Sequence, residues 1–496
     1  MAVFLTPVDM ASATASRKVR AGALRRLARG VVTDELDGPL EQVVANHLSE
    51  LVGRLVPGAV ITDRSAREGG RPVTGQDGTR ILYITHPQRR RDLELPGHLV
   101  AVRSGPGPVD GDVPYLHDGV SVASLARALV DNARESHPRA GRPARTLSRV
   151  ELERWVDELA SRYTAERFAR LRDRVEQVAG LLDEQALGGV VSELLGAAQG
   201  TRRDAHLASP ALRARRDGVP VDTHRLQLFD QLVDTLRDRA PEPMPTSPAG
   251  ESRRAVLPFF EAYFSNFIEG TEFEVSEAAE IVFEGKIPSA RPEDAHDILG
   301  THRLVSDPGE MATVPADGEQ LLHLLRSRHA TIMEARPALR PGQFKTVANR
   351  VGAREFVAPA EVIGTLQAGW ERLHTLDDPF ARAVAAMFIV SEVHPFDDGN
   401  GRVARVMMNA ELVAAGQGRI VIPTVFRNNY LAGLRGMSVN GRADALIATL
   451  AFAQRWTSQV DWSSIETAMG DLETTHALLD ATDAEAEGIR LRLPGT

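Results

Sequence analysis

Cysteine is absent from this chain of 496 residues. That excludes disulfides, thiolate zinc sites and cysteine nucleophiles, and it suits a reducing cytosol. Long uncharged apolar runs are missing too. No window approaches the roughly 18 residues that would read as a membrane span, so no membrane partner is expected. The opening stretch MAVFLTPVDM has no basic region and too short an apolar run for a secretory leader, which makes a cytoplasmic location the expectation. Nor is there an excess of positive charge. The net charge of -9 gives no general affinity for nucleic acid or anionic lipid and confines any such contact to a local patch. What is present is an ordinary globular composition, 43% hydrophobic and 25% charged, over a length that allows roughly three domains.

Along the chain, residues 16–31 are locally basic, with six Arg or Lys and no acid between Arg17 and Arg29. Helical spacing follows at 40–53, then short β-rich pieces (GAVITD, RILYITH, HLVAVRS, GVSVASL) separated by Gly and Pro. From Ser148 to about Gly196 the pattern fits two or three helices. A Pro-rich stretch, Arg239 to Arg254, is the clearest boundary signal. Beyond it the chain reads as mostly helical, interrupted at 340–362 by a Gly- and Pro-punctuated pair of short segments that suggests a hairpin. No internal repeats are evident.

One stretch carries chemistry. HPFDDGNGRVAR, His394 to Arg405, lies between two apolar segments that read as helices. Gly399-Asn400-Gly401 allows φ > 0, so that successive N–H groups can converge on one point. Arg402 then opens a helix whose N-terminus adds free N–H groups and partial positive charge, an anion site of the phosphate-binding kind. Arg402 and Arg405, three apart, leave the same helix face. Asp398 can offer an oxygen to a hard cation such as Mg2+, and His394 can serve as a general base. The sum is a nucleotide-phosphate cradle beside a base, which favours phosphoryl or nucleotidyl transfer. Plain helix punctuation is the alternative.

At every specified position the stretch resembles the Fic family signature HPFx(D/E)GNGRxxR. The resemblance implies a mainly α fold: an all-helical core with a β-hairpin flap. It further implies transfer of AMP from ATP, with Mg2+, to a Ser, Thr or Tyr hydroxyl of a target protein. His394 would then deprotonate the acceptor, Asp398 would hold Mg2+, and Gly399, Asn400, Gly401 and Arg402 would bind phosphates, with Arg405 on the γ-phosphate. GQFKTVANRVGAREFVAP resembles the family flap, with Val351, Gly352, Phe356 and Val357 on the target-binding side. Here Lys345 stands where the family has an arginine, and NRVG replaces an aromatic segment. SNFIEG resembles the family's inhibitory motif (S/T)xxxE(G/N). Ser265, Glu269 and Gly270 would form it, with Glu269 taking the place of the γ-phosphate on Arg405 and restraining transfer. The other reading of SNFIEG is an exposed Glu on an amphipathic helix whose aromatics face the core.

The first half is similar, at few residues (Gly22, Leu24, Arg26, Leu27, Gly30, Val31, Arg127, Ala128, Leu129, Asp131), to AbiEi-type antitoxins and transcriptional regulators. This implies an α+β domain with a small winged helix-turn-helix at its start and a DNA contact through residues 16–31. A solvated basic helix is the equal alternative. The expected organisation is therefore a 1–195 α+β regulatory domain, a 196–254 connecting segment, a 255–300 inhibitory helix region, a 301–470 catalytic core and a 471–496 tail. The leading functional expectation is an autoinhibited protein adenylyltransferase, with assembly into homo-oligomers allowed for. The second is a DNA-binding regulator whose Fic core senses nucleotide or performs another phosphate-group transfer.

Overall fold

The computed structural model describes residues 2–6, 8–139, 141–239, 241–246, 250–352 and 354–495. Two compact units divide the chain, Met1–Gly218 and Val219–Thr496.

The first unit opens with β1 (Val3–Leu5), α1 (Ser12–Arg20), β2 (Arg25–Ala28) and β3 (Val31–Thr33), the strands pairing antiparallel in the order β1-β3-β2. The basic stretch is thus one helix followed by a hairpin. Gly22 and Gly30, both at positive φ, turn the chain at either end of β2. The expected helix-turn-helix pair is not formed among the described residues, because the segment after Arg20 is spent on strands. Next come α2 (Leu40–Leu55), β4 (Ala59–Ile61), α3 (Asp63–Arg67), β5 (Val73–Thr74), β6 (Arg80–His86), β7 (Leu93–Leu95), β8 (His98–Ser104), β9 (Val113–Tyr115) and β10 (His117–Val122). They build a mixed sheet of order β7-β8-β6-β4-β10-β9, with β5 on β6. Central β6 and β8 run parallel, Ile81 opposite Leu99 and Ile84 opposite Val102. As expected of strands covered on both faces, these two are near-continuous apolar runs. α4 (Leu125–Asn132), α5 (Arg149–Arg162), α6 (Ala165–Leu181), α7 (Gln185–Ala198) and α8 (Pro210–Arg216) complete the unit. A capping box between Ser148 and Glu151 starts α5.

The second unit begins earlier than the Pro-rich stretch suggested. α9 (Thr223–Arg239) buries Leu228, Phe229, Leu232, Val233 and Leu236 in its core, so the break between units falls ahead of this helix. Within the Pro-rich stretch Ala240 and Ser247–Ala249 lie outside the described residues. Its middle is tied to the same unit: Thr246 N–H donates to Gly416 O at 2.8 Å, and Gly418 N–H to Met244 O at 2.8 Å. Then follow α10 (Leu257–Ile268), α11 (Val275–Ala279), α12 (Pro292–Ser306), α13 (Pro308–Met311), α14 (Gly318–Ile332), the hairpin β11 (Arg350–Val351) and β12 (Arg354–Glu355), α15 (Val362–Leu373), α16 (Pro379–Val393) and α17 (Asn400–Ala414). α18 (Arg427–Asn440), α19 (Asp444–Gln459), α20 (Ile465–Thr474) and α21 (Ala481–Glu487) close the chain.

α16 and α17 lie at the centre, buried on nearly every side. Phe260, Tyr263 and Phe264 of α10 pack with Trp456 and Trp462 in a second cluster, as the amphipathic spacing of α10 implied. The expected C-terminal tail is not loose: Ala477, Ala484 and Leu491 are buried in that same cluster. Among the described residues no helix is long and apolar enough to cross a membrane.

Candidate active site

α16 ends at its buried C-terminal turn with His394 in the left-handed region, φ 52°. A non-glycine residue there marks local strain, of the kind that gathers at functional sites. The chain then loops through Pro395–Asp398. Gly399, at φ 73°, turns it into α17. The first helical hydrogen bond runs from Val403 N–H to Gly399 O. The N–H groups of Asn400, Gly401 and Arg402 therefore open off the helix end with its partial positive charge.

The side chains divide the labour differently from the expectation. The Asn400 amide is spent on the loop: its Oδ1 accepts from Phe396 N–H at 2.8 Å and its Nδ2 donates to Phe396 O at 2.9 Å. Only its backbone N–H remains for an anion. Arg402 is buried, paired with Asp297 and 3.5 Å from Asp398, while its Nε has no hydrogen-bond partner. Asp297 is in turn held by Arg336. Burial holds the Asp297 carboxyl above the usual carboxylate range, against the pull of Arg402 and Arg336. Asp398 keeps its carboxylate half exposed.

His394 Nδ1 lies 3.4 Å from Ser391 O. A carbonyl only accepts, so Nδ1 carries the hydrogen and Nε2 the lone pair. Burial, with the nearby Lys345 ammonium, pushes His394 down to about 4, so the imidazole is neutral at physiological pH. Its ring stacks on Phe356, centroids 3.9 Å apart.

Glu269, just past the end of α10, reaches into this site. Its Oε1 accepts from Arg405 Nη2 at 2.8 Å, and Arg405 Nη2 also donates to Ser265 O at 2.7 Å. Ser265 Oγ accepts from Arg405 Nε at 3.0 Å. Gly270 leaves the helix at φ 89°. A Cβ at Gly401 would collide with the Glu269 carboxylate and stand 3.1 Å from Arg405 Nη1. The carboxylate thus lies against the helix N-terminus and the arginine, where an anion would lie. Ser265, Glu269 and Arg405, read from separate motifs, are brought together.

On the hairpin, Val351 is exposed and Gly352 turns the strands at φ 62°. Val357 is a correction: it is fully buried in the core and anchors the hairpin, so it presents nothing to a target. Other contributors escaped sequence reading. His329, on α14, accepts from Gly342 N–H at Nδ1 (2.9 Å), so its Nε2–H donates to Asp398 O (3.1 Å). It stacks flat on Phe396 and is buried, which pushes it down to about 4. Buried Glu392 gathers Arg225, Arg354 and Ser438. Burial of polar residues within apolar helices was their only trace.

For a metal, one half-exposed carboxylate is what the loop offers. Among the described residues no group of three or more His, Cys, Asp or Glu forms a ready cation cage. This fits Mg2+ arriving with phosphate oxygens, which commonly takes one or two protein carboxylates. For the phosphates, the open helix end, the glycine that a Cβ would block and the orphaned Arg402 Nε fit an anion.

A helix-end anion cradle thus stands beside a neutral, half-buried imidazole. Residues 320–412 match the Fic/DOC family. Protein adenylyltransferase fic-1 of Caenorhabditis briggsae is 25% identical over 181 residues, covering 36% of this chain and 36% of that protein. Protein adenylyltransferase Fic of Nematostella vectensis is 26% identical over 234 residues, covering 45% and 53%. The chain thus spans about a third to a half of the length of these relatives. Among solved structures, a Fic domain-containing signalling protein from Bacteroides thetaiotaomicron is 18% identical at TM-score 0.36, covering 49% of this chain and 97% of that one. A Fic-1 fragment from Caenorhabditis elegans gives 19% and 0.36, covering 66% and 99%.

Proposed function

We propose that this protein is an adenylyltransferase that moves AMP from ATP to a Ser, Thr or Tyr hydroxyl of a protein target, and that Glu269 restrains it. The observation that carries this reading is the convergence of a neutral, half-buried His394, an open helix N-terminus and a carboxylate held by Arg405 at one point. His394 Nε2 takes the proton of the acceptor hydroxyl. The freed oxygen attacks the α-phosphorus in line, the bond to the bridging oxygen breaks, and pyrophosphate leaves with that electron pair. The N–H groups of Asn400, Gly401 and Arg402 hold phosphate oxygens. Asp398 is the carboxylate that would hold Mg2+, which when bound would supply charge neutralisation to the phosphates. Arg405 takes the γ-phosphate once Glu269 withdraws, since both compete for the same guanidinium donors.

The test uses ATP labelled at the α- or γ-phosphate with wild type, Glu269→Gly, and Glu269→Gly combined with His394→Ala. Label on protein is the readout, with cell extract as a source of acceptor. Strong α-label on the single variant, little on wild type and none on the double variant supports transfer, restraint and base together. Transfer of γ-label instead, or of none in any form, overturns the reading.

A DNA contact is the second reading for the first unit. Arg17, Lys18, Arg20, Arg26 and Arg29 are all exposed on α1 and the hairpin. Phosphate binding through them would fall steeply with salt and disappear when these five are changed to Ser. Binding that persists in the substituted chain would contradict it.

A further inference from the structure

Three of the chain's 58 basic residues are lysines, and one of these, Lys345, is buried at the foot of the hairpin. Two of its hydrogen bonds fall on the segment that carries His394. Lys345 N–H donates to Pro395 O at 2.8 Å. Its ammonium donates to Val393 O at 3.3 Å and to Asn349 Oδ1 at 2.7 Å. Asn349 Nδ2 continues the chain of bonds to Phe396 O at 2.9 Å. The carbonyls of residues 393, 395 and 396, on both sides of His394, are thus all taken by two side chains and one amide of the flap segment. The same ammonium stands 5.9 Å from the centre of the Phe356 ring, whose plane stacks on His394.

Resting on the adenylyl-transfer reading, we propose that Lys345 is a positioning residue for that reaction. Lys345 and Asn349 clasp the backbone on both sides of His394, hold it in its left-handed conformation as a neutral base, and make base and acceptor-binding hairpin one mechanical unit. Two physical effects follow. The hydrogen bonds oppose relaxation of the strained turn, which a looser loop would allow. The positive charge disfavours the imidazolium, consistent with its share in depressing His394. Other charged groups also face the pair. Arg354 approaches from the hairpin, Glu269 from α10 and Asp398 from the loop, while Arg225 and Asp397 act on Lys345. Burial holds Lys345 itself down to about 7. Removing its charge therefore moves His394 in one direction, upward.

The experiment follows the 14 histidines of the full chain by NMR titration, the His394 signal being identified by its loss in His394→Gln. Lys345→Met, Lys345→Gln and Lys345→Arg are compared with wild type. Gln keeps a donor for Val393 O and removes the charge, so it answers for Met if Met impairs folding. The His394 midpoint is expected to rise by about half a unit or more in the neutral variants, and to stay with wild type in Lys345→Arg. In the transfer assay kcat should fall about tenfold or more in Lys345→Met with KM for ATP unchanged, and recover in Lys345→Arg. An unmoved His394 midpoint in folded Lys345→Gln overturns the proposal. The titration needs no nucleotide: a shifted midpoint without any α-label transfer would sink the adenylyl reading and leave the clasp standing. Robust transfer with an unmoved midpoint would do the reverse.

Discussion

Each unit holds a buried assembly of arginines and carboxylates, and the two differ in what they leave open. In the first unit, Arg127 is saturated: Asp112 at 2.5 Å, Asp131 at 3.4 Å, Thr85 Oγ1 at 3.1 Å and the carbonyls of Pro106 and Gly107 at 2.9 Å. Asp63, wholly buried, is held by Arg103 and Arg145. Nothing in that assembly can leave without stranding a charge. In the second unit, Arg405 is as buried, but its partner Glu269 is 30% exposed and lies on a helix N-terminus. A carboxylate so placed can be exchanged for another anion. Buried pairing alone therefore marks architecture, whereas a displaceable partner beside unspent N–H groups marks a site.

The comparison can be broken at both ends. The largest effect is expected at the base: in a Glu269→Gly background, His394→Ala should lower transfer by about 10²–10⁴-fold, read as α-label incorporated per minute. In the saturated assembly, Arg127→Met should cost about 3–5 kcal/mol in urea unfolding, because it leaves the buried Asp112 uncompensated and takes from Asp131 one of its two arginines. Transfer by the molecules that remain folded should be unchanged. Ser265→Ala removes one hydrogen bond to Arg405, about 0.5–1.5 kcal/mol, and should raise wild-type transfer only a few-fold. The pH dependence sharpens the contrast further. The proposed base would act as the neutral imidazole, and burial holds His394 at about 4. Transfer by Glu269→Gly should accordingly stay level between about pH 5 and 6.5 and decline only as pH falls through about 4. A decline centred near 6.5 would show an ordinary, exposed histidine instead.

Only the second unit's half of this contrast was legible in the sequence. The twelve residues from His394 define a local turn and helix start, and local geometry is what short spacings encode. Ser265 and Glu269 were legible for the same reason, being four apart at the end of one helix. Two things were hidden. Arg402, Asp297 and Arg336 are linked across long sequence separations, the Asn400 amide is spent on its own loop, and residue type alone could not tell a phosphate ligand from a strut. Val357 is apolar and follows the hairpin, so pattern could not separate a docking side chain from an anchor; burial does. The boundary between units was misplaced because Pro and Gly punctuate strongly, whereas the apolar face of α9 announces burial without saying in which core.

The most direct measurement is a calorimetric titration of ATP with Mg2+ into the wild-type chain and into Glu269→Gln. If Glu269 holds the place of the γ-phosphate on Arg405, removing its charge should tighten ATP by about tenfold to a hundredfold, the worth of one charge-assisted hydrogen bond. Equal or weaker affinity in Glu269→Gln would contradict the exchange, and with it the distinction between the two assemblies.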